Sequence, residues 1–281
     1  MDDLRILVTA DICPNFGLED EILAGEGTRL LGPVKDLIDS VDLAIANLET
    51  PLCDQAAPIP KCGPNFICKP ALAKALRDLG FGCLTLCNNH VNDQGTQGLE
   101  QTLRVLDEAG MPHCGAGLTH EEACRPVVFR IGDRTLAVFN FGEGEFAQAQ
   151  EDGPGAARLD AWWPERSVQS LRDQVDVILV VLHIGNEYQP IPSLVTADFC
   201  RRLAAAGADA VVAHHAHIPQ ATELHDGVPI CFSLGNFLFG YPFTPERFAA
   251  QPCWFLGSAA EIVFPVGAPA QMTLHPFRQT A

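Results

Sequence analysis

The sequence contains no uninterrupted apolar run of the ~18 residues that a membrane-spanning helix needs, which argues against a span. The amino terminus, Met1-Asp2-Asp3-Leu4-Arg5, passes from acid directly into a strand-like Ile6-Leu7-Val8. It lacks the basic, apolar and small-residue sections of a secretory signal. Basic residues are scarce, 18 Lys and Arg against 35 Asp and Glu, and the formal net charge is −17. That balance disfavours a nucleic-acid partner, and an anionic substrate would need locally concentrated positive charge of the kind bound metal ions supply. No two of the 11 cysteines form a CxxC pair, so the spacing of a zinc ribbon or redox motif is missing. Their scatter through a chain without a signal points to a reducing, cytoplasmic compartment. A glycine-rich phosphate loop and a GxSxG elbow are also missing, leaving ATP-dependent and serine-hydrolase chemistry without sequence support.

What is present is an ordinary globular composition, 47% hydrophobic and 19% charged, in a chain of 281 residues that is long enough to bury a large core. No linker or fixed-period repeat divides it, so residues 1–281 read as one domain. Apolar runs predict strands at 5–10, 41–46, 82–87, 176–182, 210–213, 229–233, 258–264 and 272–277, with a hairpin of 126–131 and 134–141 about Gly132-Asp133. Helical spacing falls at 30–40, interrupted near Pro33, and at 70–79, 95–109 and 194–206. Such alternation predicts α/β layers. Residues 53–70, rich in Pro, Cys and Gly, read as an irregular loop over the site. The stretch 142–164 reads as another loop, with Trp162 and Trp163 packing.

Successive predicted strands end in metal-type residues: Asp11, then Asn47 and Glu49, then Asn88, Asn89 and His90, then His183, then His214, His215 and His217. Each ending alone has a structural reading, an Asp as a turn or helix cap and a histidine as a satisfied core residue. Parallel strands, however, bring their carboxyl ends to one edge, which gathers five such endings. Placed at i and i+2 on an extended segment, His215 and His217 would point the same way. Mixed carboxylate, amide and imidazole ligands suit Mn, Fe or Zn. Two such ions about 3.5–4 Å apart clamp a substrate oxygen and acidify a bridging water.

The stretches Asn47-Leu48-Glu49-Thr50-Pro51-Leu52, Asn88-Asn89-His90 with Asp93 and Gly95, His183-Ile184-Gly185-Asn186-Glu187-Tyr188, His214-His215-Ala216-His217 and Ser233-Leu234-Gly235-Asn236-Phe237 resemble, in order, those of the CapA family of capsule or poly-γ-glutamate synthesis proteins. That family is similar to the calcineurin-like metallophosphoesterases. The resemblance implies a four-layer α/β/β/α sandwich and a dinuclear metal centre. Carried over, it makes Asp11 and Glu49 the acidic ligands of the first two strands, Glu49 in a bridging place, and makes Asn89, His183 and His215 ligands of the second metal. His217 would return to the first metal, His90 would protonate or steady the leaving group, and His214 would stand behind the ligands.

Departures from the phosphoesterase pattern are visible. Asp11-Ile12-Cys13 replaces Asp-x-His, Ala10 replaces a glycine, and Glu49 stands where an Asp is usual. Cys13 is either a thiolate ligand or a buried apolar cysteine. Asp93 either holds the His90 imidazole or caps a helix; Glu187 either touches substrate or is a loop acid; Asn236 either reaches the site or satisfies a Gly-Asn turn. Asn47 and Asn88 flank the ligand positions. CapA relatives carry an amino-terminal membrane anchor, and this sequence shows none. The resemblance implies a hydrolase in which metal-activated hydroxide attacks a phosphoester or a γ-glutamyl-type amide of a small anionic substrate or glutamyl peptide. The alternative is a non-catalytic binding or assembly factor for poly-γ-glutamate or another carboxylate-rich ligand.

Overall fold

The computed structural model describes residues 3–143, 145–149, 153–159, 163–240 and 245–279. Its strands, in chain order, are β1 (Leu4–Cys13), β2 (Leu43–Leu48), β3 (Cys83–Thr85), β4 (His113–Cys114), β5 (Ala116–Gly117), β6 (Val127–Ile131), β7 (Arg134–Gly142), β8 (Gly155–Ala156), β9 (Val177–His183), β10 (Ala210–His214), β11 (Thr222–His225), β12 (Val228–Cys231), β13 (Asn236–Phe239), β14 (Leu256–Phe264) and β15 (Gln271–Arg278). One sheet runs β15-β14-β1-β2-β3-β4, with β13 paired to the end of β1, and the other runs β11-β12-β10-β9-β7-β6. β5 and β8 form a small separate ribbon.

The strands β1-β2-β3-β4 of one sheet and β12-β10-β9-β7 of the other are parallel, and antiparallel strands form every edge except that at β4. Every residue of β2 and β9 is buried, which explains why these segments read as continuous apolar runs: both faces are covered. The sheets lie against each other and share one core, to which Ile6, Ile45, Val180 and Val212 all belong. The helix Leu194–Ala205 packs on β10 and β12, burying Phe199, Cys200 and Leu203, and Ser193 caps it by accepting from Thr196 N. Helix Gly95–Glu108 buries Leu99, Thr102, Val105 and Leu106. Each fully buried Leu or Phe contributes about 1.5–3 kcal/mol. The architecture is the α/β/β/α sandwich of the metallophosphatase-like folds.

Several local expectations need correction. The first strand continues through Asp11 to Cys13. The interruption expected near Pro33 is present, with helices Gly27–Leu31 and Val34–Ser40 parted at Gly32-Pro33, where Gly32 has φ +52°, but the first helix starts earlier than expected. Residues 163–171, expected to begin inside a loop, form the helix Trp163–Leu171. Trp162 lies outside the described residues, and Trp163 is 41% exposed with its ring 5.7 Å from that of His120, so its packing is at the surface. Asn236 opens a strand because β13 pairs in parallel with β1, Asp11 opposite Asn236. Among the described residues no helix is long and apolar enough to cross a membrane.

Candidate metal centre

β1 is irregular where it matters. Its register with β2 shifts between Val8 and Asp11, and its register with β13 shifts between Asp11 and Ile12. A bulge of this kind re-aims a side chain. Asp11 is fully buried; its Oδ1 accepts from Asn47 Nδ2 at 2.7 Å and lies 3.0 Å from His214 Nδ1. Burial alone would raise the Asp11 carboxyl, but His214, His217 and Asn47 hold it below the usual carboxylate value. Glu49 follows β2, its N donating to Ile12 O at 2.8 Å, and is equally buried. Burial, then the charges of Asp11, Glu187 and Asp93, pushes its carboxyl well up.

Asp11 Oδ2 and both carboxylate oxygens of Glu49 have no hydrogen-bond partner among the described residues. Buried acceptors left in this state are costly, and a bound cation would satisfy them. Asp11, Glu49 and His183 offer ligand atoms that all lie within 4.8 Å of one another.

The imidazoles converge on the same place from the other sheet. His183 ends β9; its Nε2 lies 3.0 Å from Asn89 Oδ1 and 3.7 Å from Glu49 Oε1, and its Nδ1 3.3 Å from Asn47 Nδ2. His215 Nδ1 is 3.0 Å from His183 Nε2. His217 Nε2 is 3.5 Å from Glu49 Oε1, and its Nδ1 is 2.9 Å from Asn236 Oδ1. Burial, reinforced by the neighbouring rings, pushes His183 well below its usual value; burial likewise brings His215 to about 4, against the pull of Asp11, and lowers His217. Neutral imidazoles are the form that binds metal. These residues fit a divalent cation centre.

The expectation that His215 and His217 share an extended segment is wrong. β10 stops at His214, and His215 and His217 have φ of +89° and +56°. Left-handed backbone at a non-glycine residue costs on the order of 1–3 kcal/mol. Tyr188 N, donating to Ala216 O at 2.9 Å, ties this turn down. Both rings reach the centre through turn geometry, not strand alternation.

Beside the centre, Asp93 does not cap the following helix, whose N-cap is Gln94 without a side-chain cap. Its Oδ2 lies 2.7 Å from His90 Nδ1 and accepts from Phe66 N at 2.6 Å, and its Oδ1 pairs with Lys61 Nζ. Lys61 comes from the irregular 53–70 segment, and Phe66 of that segment lays its ring 4.2 Å from the His90 ring. Asn88 Nδ2 donates to Leu48 O at 2.8 Å and to Asn47 Oδ1 at 3.2 Å. Asn236 reaches the site, its Nδ2 donating to His217 O and Trp254 O, both at 3.2 Å. Cys13 is buried against Phe239, Trp254 and Phe255, and burial raises its thiol far above the usual value. Glu187 is exposed, yet its charge acts on Glu49 and His217.

Sequence reasoning missed Lys61, Phe66, Glu143 and Glu145. Glu143 Oε1 and Glu145 Oε1 lie 3.4 and 3.9 Å from His215 Nε2. Only Glu143 left a signal, as the residue just beyond a predicted strand.

Fold and site together define a metallophosphatase-like α/β sandwich with a candidate metal site at Asp11, Glu49 and His183. The chain aligns with a hypothetical protein from Thermus thermophilus at TM-score 0.58 and 18% identity, over 99% of this chain and 100% of that one. It aligns with the 5'-nucleotidase from Candida albicans at TM-score 0.51 and 11% identity, over 97% of this chain and 51% of that one. At such identities the likeness is one of fold. The chain belongs to the bacterial capsule synthesis protein family PGA_cap, whose profile matches residues 5–241. It is 30% identical over 180 residues to the PGA biosynthesis protein CapA of Bacillus subtilis (strain 168), a match covering 63% of this chain and 47% of the relative. The chain spans about half the length of the curated relatives it matches.

Proposed function

We propose that the chain is a metal-dependent hydrolase in which Asp11, Glu49, Asn89, His183, His215 and His217 hold two divalent ions, Mn, Fe or Zn. The observation that carries this reading is the set of three fully buried carboxylate oxygens with no hydrogen-bond partner among the described residues, facing imidazoles kept neutral by burial. When bound, the ions would polarise the scissile group and acidify a water. The chain's own residues do the rest. Asn47 and His214 fix Asp11 from two sides, and Asn236 fixes His217 through Nδ1. Asp93 Oδ2 holds the His90 ring at Nδ1, 2.7 Å away, so the proton given to the leaving group would be one carried on Nε2. Phe66 and the Lys61–Asp93 pair cover that ring on the loop side and exclude water from it.

The substrate class is a phosphoester, in keeping with the fold, or a γ-glutamyl-type amide, in keeping with the family and the relative's name. The test is turnover of p-nitrophenyl phosphate and γ-glutamyl-p-nitroanilide by chain loaded with each metal in turn. Activity that disappears in His90→Asn while bound metal stays is the expected result. Tight binding of a glutamyl peptide with no turnover of either compound would replace this reading with that of a binding factor.

A further inference from the structure

Glu143 directly follows β7, whose last residue, Gly142, pairs in register with His183. A further strand end therefore meets the metal-type residues. Glu143 is tied twice to the segment that carries His183: its N donates to His183 O at 3.1 Å, and its Oε1 accepts from Gly185 N at 3.0 Å. Those two anchors set Oε1 3.4 Å from His215 Nε2, while Nδ1 of the same ring faces the opposite way, 3.0 Å from His183 Nε2.

A neutral imidazole carries one N–H, and the nitrogen that meets a carboxylate is the one that keeps it. His217 shows the same division of labour: Nδ1 faces Asn236 Oδ1 at 2.9 Å, and Nε2 faces Glu49. We propose that Glu143 is a positioning residue that fixes His215 as its Nε2–H tautomer, so that Nδ1 is the nitrogen offered to the metal. Glu145 Oε1, at 3.9 Å, is the more distant partner of the same nitrogen. The role matters because His215 sits on left-handed backbone beyond the end of β10, outside the regular alternation of a strand. The inference rests on the metal site proposed above.

The test is a chelator-competition titration with Zn on the full chain, wild type, Glu143→Ala and Glu143→Gln, together with ¹⁵N-histidine NMR of the Zn-loaded wild type. Loss of a carboxylate that orients a metal-bound histidine lowers affinity roughly 10–100-fold, so Glu143→Ala should fall in that range. Glu143→Gln, whose amide oxygen can still accept from Gly185 N and face His215 Nε2, should keep most of the affinity. The NMR signature should show His215 bound through Nδ1 with Nε2 protonated. Wild-type affinity in Glu143→Ala would overturn the inference. So would an equal loss in Glu143→Gln, or coordination through Nε2, the last without reference to how any variant folds. A wild type that binds no Zn defeats the proposed function itself, which is a distinct outcome.

Discussion

Glu49→Gln separates what the centre costs the fold from what it does for metal. In the metal-free protein both Glu49 oxygens are fully buried with no hydrogen-bond partner among the described residues, and burial together with Asp11, Glu187 and Asp93 opposes the charged form. An unsatisfied buried polar group costs about 1–3 kcal/mol, and the protein limits that cost by taking up a proton. Glutamine has the same shape and no charge. For a chain of this size about 1–3 kcal/mol corresponds to roughly 2–10 °C, so the metal-free variant should melt higher than metal-free wild type.

The sign with pH is fixed. A carboxyl raised in the folded state costs nothing while both states are protonated, and it destabilises increasingly as pH climbs from its ordinary value near 4.5 through its raised value. The gap between variant and wild type should be near zero at pH 4 and widen above it. With metal present the order should reverse: a ligand at 100 times its Kd stabilises wild type by about 2.7 kcal/mol, and the variant forfeits this. The assay is thermal melting with chelator and with metal, from pH 4 to 8. A metal-free Glu49→Gln that melts lower than wild type, or a gap that does not change with pH, would refute the reasoning.

Two further perturbations test the surroundings. Lys61 and Asp93 have side chains 1% and 0% exposed, so Lys61→Met alone should cost about 3–5 kcal/mol in urea unfolding by stranding the Asp93 charge. The double variant with Asp93→Asn should recover much of that, and additive losses would contradict the pairing. Gly115 has φ +97°, and a Cβ there would meet Asn140 Oδ1 at 1.9 Å and Cys87 N at 2.7 Å, whereas Gly132, at φ +58°, has nothing within 4 Å. Gly115→Ala should lose on the order of 3 kcal/mol or more, and Gly132→Ala only about 1 kcal/mol. Equal losses would show the tight approach to be unimportant.

The strand ends were legible because parallel strands buried on both faces must be apolar throughout, so the switch from Ala46 to Asn47 or from Leu182 to His183 marks where the chain emerges at a shared edge. The partners of those residues were less legible. Asn236 read as a turn because its strand exists only through pairing with the end of β1, over 200 residues away in sequence. The conformation of His215 and His217 contradicts local preference, which tertiary contact at Ala216 overrides. Lys61 and Phe66 lie in a segment with no periodicity at all, and only folding brings them to Asp93.

The central claim is that this edge of the sandwich is a metal centre, and metal content tests it most directly. The chain is loaded in turn with Mn, Fe and Zn, desalted, and analysed by mass spectrometry for metal per chain, beside an Asp11→Ala/His217→Ala variant. The account predicts about two tightly held ions of at least one metal in the wild type and a clear loss in the variant. A wild type that retains none of the three, or a variant that retains as much as wild type, would contradict it.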